Sequence, residues 1–257
     1  MQERAAHRLG RRQSATRILP FWVVAFTLLA AGTAPLAGPQ QGASADDELA
    51  VLEEAPVEQY RAYRRMHAEN ERFNHEAWLE AWTEFDGTTF GYQIVQERGS
   101  EYVLNKVLKA MLAKEQAIIA RGQADRAELS PENYEFVESA AHGHGVRYIL
   151  LKPKRKDILL VDGRMVLSED GTELLRVEGR LAKNPSFWTS LVNVIREFGR
   201  VNGVRVPVSI ESIAKLKFAG VSRMSVRYEY ESINGRPVRV AARQAGASGA
   251  VSRGPDE

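Results

Sequence analysis

The sequence predicts an α+β fold in which helices stand apart from an antiparallel sheet, and three features carry that prediction. Residues 204–230 read as two long strands with apolar side chains on one face only. Val204, Val206, Val208, Ile210, Ala214, Leu216 and Phe218 share one parity, against Arg205, Glu211, Lys215 and Lys217 on the other. Past the Ala219-Gly220 turn, Met224, Val226, Tyr228 and Tyr230 keep that parity against Arg223, Arg227, Glu229 and Glu231. Successive strand residues point to opposite faces, so the pattern describes a sheet with one apolar and one wet side. Second, Leu104, Val107, Leu108, Met111, Leu112, Ile118 and Ile119 follow the i, i+3, i+4, i+7 spacing of a single helical stripe. Third, the order is segregated: helix, hairpin, helix, then a run of strands joined by turn signals, which favours α+β over a parallel sheet.

The elements follow in chain order. Residues 46–54 are an acidic lead-in. Pro56 suits the first position of a helix, and Val57, Tyr60, Tyr63 and Met66 continue it with helical spacing to about residue 72. Residues 76–85 carry Trp78 and Trp82, whose spacing suits a helix, but their alternation and aromatic content suit a strand. With Asp86-Gly87 as a turn and Phe90, Tyr92 and Ile94 alternating beyond it, the segment reads as a β-hairpin. Ser100 is placed to cap the second helix, and Gly122 to end it. A polar connection over 123–145 follows. Strands are expected over 146–152, 157–161, 165–167, 174–181 and 191–201, with Asp162-Gly163, Asp170-Gly171 and Asn202-Gly203 as turns. Beyond residue 235 the composition shifts to Ala, Gly, Ser and Arg without periodicity, the signature of a disordered tail.

Residues 1–45 have the layout of an export signal. Arg4, Arg8, Arg11, Arg12 and Arg17 precede an uncharged apolar run over 18–31, and Ala43-Ser44-Ala45 offers a small-residue cleavage site. The expected location is therefore the periplasm or the exterior, with an uncleaved inner-membrane anchor as the alternative. The chain holds 35 Lys and Arg against 33 Asp and Glu; five of the former and one of the latter fall in the first 45 residues, so the remainder, residues 46–257, is net −2. That balance gives no basic field to argue for nucleic acid. Cysteine is absent, so an exported domain over residues 46–235 must rely on its buried core and carries no lipid-modified cysteine.

No residue pattern points to catalysis, a cofactor or a metal. His142 and His144 sit among glycines without further ligands, and His67 and His75 have no nearby partner in the sequence. Ser248 lies between Ala247 and Gly249 in the tail, outside the strand-to-helix setting of a nucleophile elbow. Two groups of residues remain as candidates. Lys152, Lys154, Arg155 and Lys156, around Pro153, form the one concentrated basic cluster, at a turn, suited to anionic headgroups, a membrane surface or an acidic partner. Trp78, Trp82, Phe90, Tyr92, Val206, Val208, Ile210, Met224, Val226 and Tyr228 would line an apolar groove.

The strands Asp157-Ile158-Leu159-Leu160-Val161-Asp162-Gly163, Leu174-Leu175-Arg176-Val177-Glu178-Gly179-Arg180 and Val204-Arg205-Val206-Pro207-Val208 give the chain, over roughly residues 50–234, a texture that resembles the LolA-like group of periplasmic lipoprotein carriers. The resemblance implies an incomplete antiparallel barrel of about nine strands whose concave apolar face is covered by helices and holds acyl chains. It implies a non-enzymatic carrier or sensor of lipids or lipidated proteins, of the outer-membrane lipoprotein-sorting type. Arg147, Arg176, Arg180 and Arg196 all fall on expected strands, and none is assigned the family's functional arginine. A cell-envelope interaction module with a closed core is the alternative, and a secreted hydrolase a weaker one.

Overall fold

The computed structural model describes residues 56–139, 145–187 and 189–239. The segment read as an export signal, the acidic lead-in, His142, His144 and the residues beyond 239 lie outside the described residues.

One antiparallel sheet of eleven strands makes up nearly all of the fold. The strands are β1 (Tyr60–Asn70), β2 (His75–Phe85), β3 (Phe90–Gly99), β4 (Tyr134–Glu138), β5 (Val146–Pro153), β6 (Val161–Ser168), β7 (Leu174–Leu181), β8 (Thr189–Val201), β9 (Val204–Leu216), β10 (Gly220–Ile233) and the short β11 (Arg236–Pro237). Their spatial order is β3-β2-β1-β10-β9-β8-β7-β6-β5-β4, with β11 beside β10. Strands β4 to β10 are a meander, which the sequence predicts from β5 onward, and the N-terminal strands extend it through the β1–β10 pairing. The sheet stays open, with β3 at one edge and β4 at the other. This is broadly an incomplete barrel, but its helical cover is slighter than expected.

That cover comes from one continuous helical stretch, made of α1 (Glu101–Val103), a π-helical segment (Leu104–Leu108) and α2 (Lys109–Ala120). It leaves β3 at one edge of the sheet and leads, through the connection that follows, to β4 at the other. Its route therefore crosses the apolar face. Val103, Leu104, Leu108, Met111, Leu112, Ile118 and Ile119 share one core cluster with Ala62, Met66, Leu79, Phe85, Phe90, Val206, Ile210, Val226 and Tyr228. A second cluster, around Leu129, Tyr134, Leu151, Leu160, Met165, Leu174, Val177 and Phe198, lies beneath the 121–133 connection.

The first helix predicted from the sequence is a strand. In β1 the even positions Tyr60, Ala62, Arg64, Met66, Ala68 and Asn70 are buried and the odd ones are not, which is strict alternation. Arg64 and Asn70 hide that alternation from a hydropathy reading because they are polar residues facing the core. The 157–161 strand and the Asp162-Gly163 turn also differ from expectation: residues 157–160 form the turn, and Asp162-Gly163 lies within β6. There Gly163 stands directly opposite Gly179 of β7. A Cβ at Gly163 would come within 2.1 Å of the Glu178 carbonyl oxygen and 2.6 Å of the Gly179 Cα. This glycine permits a close backbone approach and does not make a turn. By contrast Asn202 and Gly203 both adopt positive φ (52° and 82°) between β8 and β9, the hairpin geometry their sequence predicts.

The 123–145 connection contains β4, which its polar composition concealed. At the C-terminal end Arg236–Pro237 still pairs with β10, so the fold runs past the boundary expected at residue 235. The expected stripe position Val107 is 36% exposed, on the solvent side of the helix.

The Gly163→Ala substitution should destabilise the fold by about 1–3 kcal/mol through overpacking of two backbones. Urea unfolding midpoints of variant and wild type measure this; an unchanged midpoint would contradict the close approach.

Candidate functional site

The apolar face and the helix that covers it meet at one ion pair. Arg64 projects inward from the middle of β1, with Tyr228 of β10 on one side in register and Ala81 of β2 on the other. Glu115 projects from α2 at the helical position between Met111 and Leu112 on one side and Ile118 and Ile119 on the other. Both side chains are completely buried, at 0% exposure. Arg64 Nη1 donates to Glu115 Oε2 at 2.6 Å and Nη2 to Oε1 at 3.0 Å, a two-pronged arrangement that fixes orientation as well as distance. Arg64 Nη2 also donates to the Tyr60 hydroxyl at 2.7 Å. The guanidinium carbon lies 4.8 Å from the Tyr228 ring centre and 5.1 Å from that of Phe90. The small residues Ala62, Ala68, Ala77 and Ala81 around this position are fully or nearly fully buried and leave room for the long side chain.

The electrostatics follow from that enclosure. Burial pulls the Arg64 guanidinium down, but the adjacent Glu115 carboxylate more than offsets this and holds it well above its ordinary range. Burial pushes the hydroxyls of Tyr60 and Tyr228 far above the usual phenol range, so both remain neutral. Two further contacts tie the helix to the sheet edge: Gln116 Nε2 donates to the Phe90 carbonyl at 3.1 Å, and Lys109 pairs with Glu97 at 2.7 Å.

Of the residues the sequence places in a groove, Phe90, Val206, Ile210, Val226 and Tyr228 lie in the core cluster beneath the helix, and Tyr92 and Met224 pack against it. Val208 is half-buried beside the β8–β9 bulge and does not belong to that cluster. Trp78 and Trp82 are on the opposite face, because in β2 the odd residues Ala77, Leu79, Ala81, Thr83 and Phe85 turn inward. There Trp78 stacks on His67 at 4.9 Å beneath Arg98, and Trp82 meets Tyr63 edge-on at 5.0 Å beneath Arg61. Their apolar bodies are covered by cations on the solvent face, not by the helix.

The basic turn divides. Arg155 is held by the structure: Nη1 donates to Asn133 Oδ1 at 2.5 Å, Nη2 to the Arg126 carbonyl at 2.9 Å, and its Nε faces Asp157 at 3.4 Å. Lys152 pairs with Glu135 across the β4–β5 ladder at 3.3 Å. Lys154 and Lys156 remain exposed and line, with Asp162, Arg180, Asn184 and Ser190, a cleft of about 570 Å³. His67, expected to lack a partner, sits 2.8 Å from Glu76 because β1 and β2 pair there, with Glu69 close by on the same solvent-facing side.

Arg64 and Glu115 are the residues that sequence reasoning missed. Each is a charge at a position where the surrounding period calls for an apolar side chain, and that mismatch is the signal by which both could have been found.

No family model matches the chain, and no curated protein matches it. Among solved structures, a DUF1329 family protein from Desulfovibrio piger has a TM-score of 0.34 and 9% identity over 67% of this chain and 84% of that one. A likeness of that size carries no functional weight, and the geometry above is what supports a functional reading. Among the described residues no helix is long and apolar enough to cross a membrane.

Removing one partner of the buried pair, as Arg64→Met or Glu115→Met, should cost about 3–5 kcal/mol in urea unfolding, while the double variant should recover most of that deficit. Equal costs for the double and the singles would mean that the pair is not a coupled unit. Glu128, in the 121–133 connection, is pushed up to about 8 by burial and by the neighbouring Asp125 and Glu132. An unfolded glutamate titrates near about 4.3, so between these values the folded state holds the extra proton and stability falls as pH rises. Glu128→Gln should therefore melt above wild type near pH 9, with the gain shrinking towards about pH 5.

Proposed function

We propose that the protein is an exported, non-enzymatic carrier or sensor that holds acyl chains of lipids or lipidated proteins between its helix and its half-barrel. The observation that supports this most is the manner in which the helix is held. An apolar face of this size could be closed permanently by apolar side chains alone. Instead the helix is pinned through a fully buried bidentate ion pair, a device that costs desolvation and often contributes no more stability than a well-packed apolar substitute. When the helix lifts, both charges regain water, so the pair favours two discrete states over a continuum of loosened ones. The π-helical segment at Leu104–Leu108 gives the helix an irregular turn near its start, a feature often found at functional sites.

The energetics are compatible with exchange. Each acyl CH₂ taken from water contributes about 0.8 kcal/mol, so a chain of a dozen carbons can offset the apolar packing that the helix gives up when it moves. A carrier also has to release its cargo, and re-formation of the Arg64–Glu115 pair supplies a competing closed state.

One observation favours a second reading, docking to an envelope partner or a membrane surface. Lys154 and Lys156 are exposed beside an open polar cleft, and their ammonium groups have no protein partner among the described residues. This reading predicts a binding partner without any change in the core.

The test is uptake of a neutral fluorescent hydrophobe by protein purified from an exporting bacterial host, with native mass spectrometry for co-purifying lipid. Wild type should take up the probe, and the double variant Arg64→Met with Glu115→Met should do so at least about tenfold more slowly, because its helix is held by apolar packing alone. Absence of lipid and of probe uptake in wild type would sink the carrier reading.

A further inference from the structure

A second buried arginine lies on the same sheet and, unlike Arg64, has no counter-charge. Arg196 is 4% exposed and sits in β8 between the buried residues Val194 and Phe198. Its register neighbours are Val177 of β7 and Ile210 of β9. Val194 and Ile210 belong to the cluster under the helix, and Val177 and Phe198 to the second cluster, so Arg196 marks the line where the two meet. Among the described residues its side chain makes no hydrogen bond and no ion pair, and its Nε is enclosed without an acceptor. The groups that act on it electrostatically are the phenols of Tyr134 and Tyr228, which burial keeps neutral, so burial is left to hold the guanidinium below its ordinary range.

The other buried charges are treated differently. Arg64 has Glu115 and Tyr60, and Asp157 has Arg126 at 2.6 Å, Arg155 and the Leu159 amide. Arg205 reaches the Thr172 carbonyl. The buried charges on the strands are Arg64, Arg196 and Arg205, all cations, whereas the buried acids lie off them, Glu115 on the covering helix and Asp157 in the turn between β5 and β6. The carboxylate that meets Arg64 comes from the covering helix and not from a strand. An unpaired buried cation is costly, and a planar guanidinium presents paired donors that match the two oxygens of a carboxylate or phosphate.

We propose that Arg196 is the anchor for the anionic head of an acyl ligand, a carboxylate or phosphate monoester whose tail lies against Val194 and Ile210. This rests on the carrier reading and adds a head-group preference to it: neutral amphiphiles of equal chain length bind more weakly.

The experiment displaces neutral N-phenylnaphthylamine from the purified protein with dodecanoate, dodecyl phosphate, dodecanol and inorganic phosphate. In wild type one or both acyl anions should act at concentrations at least about tenfold below dodecanol, the size expected of a desolvated charge-assisted pair, and whichever is stronger identifies the head. Arg196→Met should abolish that difference, leave dodecanol unchanged and melt no lower than wild type, because it removes an unpaired charge. Arg196→Lys should retain part of the preference. Equal displacement by anion and alcohol in wild type would overturn the anchor while leaving the carrier reading intact. No probe uptake, and so no displacement, would overturn both. Displacement by inorganic phosphate alone would mean a free-anion site and overturn the acyl ligand. A methionine variant that keeps the preference but melts several degrees lower would make Arg196 a structural residue.

Discussion

The position of the helix against the sheet depends on a buried ion pair between β1 and α2. Apolar contacts between a helix and a sheet are non-directional and tolerate sliding by a fraction of a turn. The Arg64–Glu115 pair does not, because a two-pronged guanidinium–carboxylate contact in a water-free setting loses most of its value when either fork is misaligned. Its surroundings are built for it. Tyr60 supplies a hydroxyl acceptor, the rings of Phe90 and Tyr228 flank the cation, and alanines at neighbouring inward positions make space. The fold thus places one demanding polar contact at the centre of an otherwise apolar interface.

Topology explains why that contact carries so much. Because β3 and β4 are opposite edges of one open sheet, the chain between them has to cross a face, and the core clusters place it on the apolar one. It does so in two parts: the helix, joined by Ala127, packs on a cluster from β1–β3 and β8–β10, and Leu129 of the 121–133 connection packs on a cluster from β4–β8. The second part is tied to the β5–β6 turn by Arg126 to Asp157 and by Arg155 to Asn133 and to the Arg126 carbonyl. The helix is tied by the buried pair, by Gln116 to the Phe90 carbonyl and by Lys109 to Glu97. The edges are left unattractive to other strands, since β4 is only five residues long and β3 carries Gln93, Gln96, Glu97 and Arg98.

The sheet was legible from the sequence where its residues obey one rule at a time. The alternation in β9 and β10 and the Asn202-Gly203 turn are of that kind, and so is the helical stripe ending at Ile119. Legibility failed where a functional or steric demand overrode the local pattern. Arg64 broke the alternation of β1, leaving Tyr60, Tyr63 and Met66 to suggest a helix. Glu115 fills an inward helix position that hydropathy assigns to solvent. Gly163 serves a close approach to Gly179 and reads as a turn because Asp162 precedes it. Trp78 and Trp82 have the composition of a core and lie outside it, since burial in β2 goes to the small residues beneath the helix. Each miss records a contact with a residue far away in sequence, which no local window contains.

The distribution of buried charge connects the two arginines of the sheet. In the closed state Glu115 neutralises Arg64, and the acid travels with the helix. Were the helix to lift, the exposed apolar face would present Arg64 as well as Arg196, without a buried acid among the described residues of the strands themselves. A neutral acyl ligand could replace the apolar contacts of the helix but not its charge, and would leave cations facing an apolar groove. An anionic amphiphile replaces both, reproducing in one molecule the apolar stripe and the carboxylate that the helix provides. Under the proposed carrier function the helix and an anionic acyl ligand would be chemical equivalents competing for one face, with Glu115 standing where the ligand's head group would.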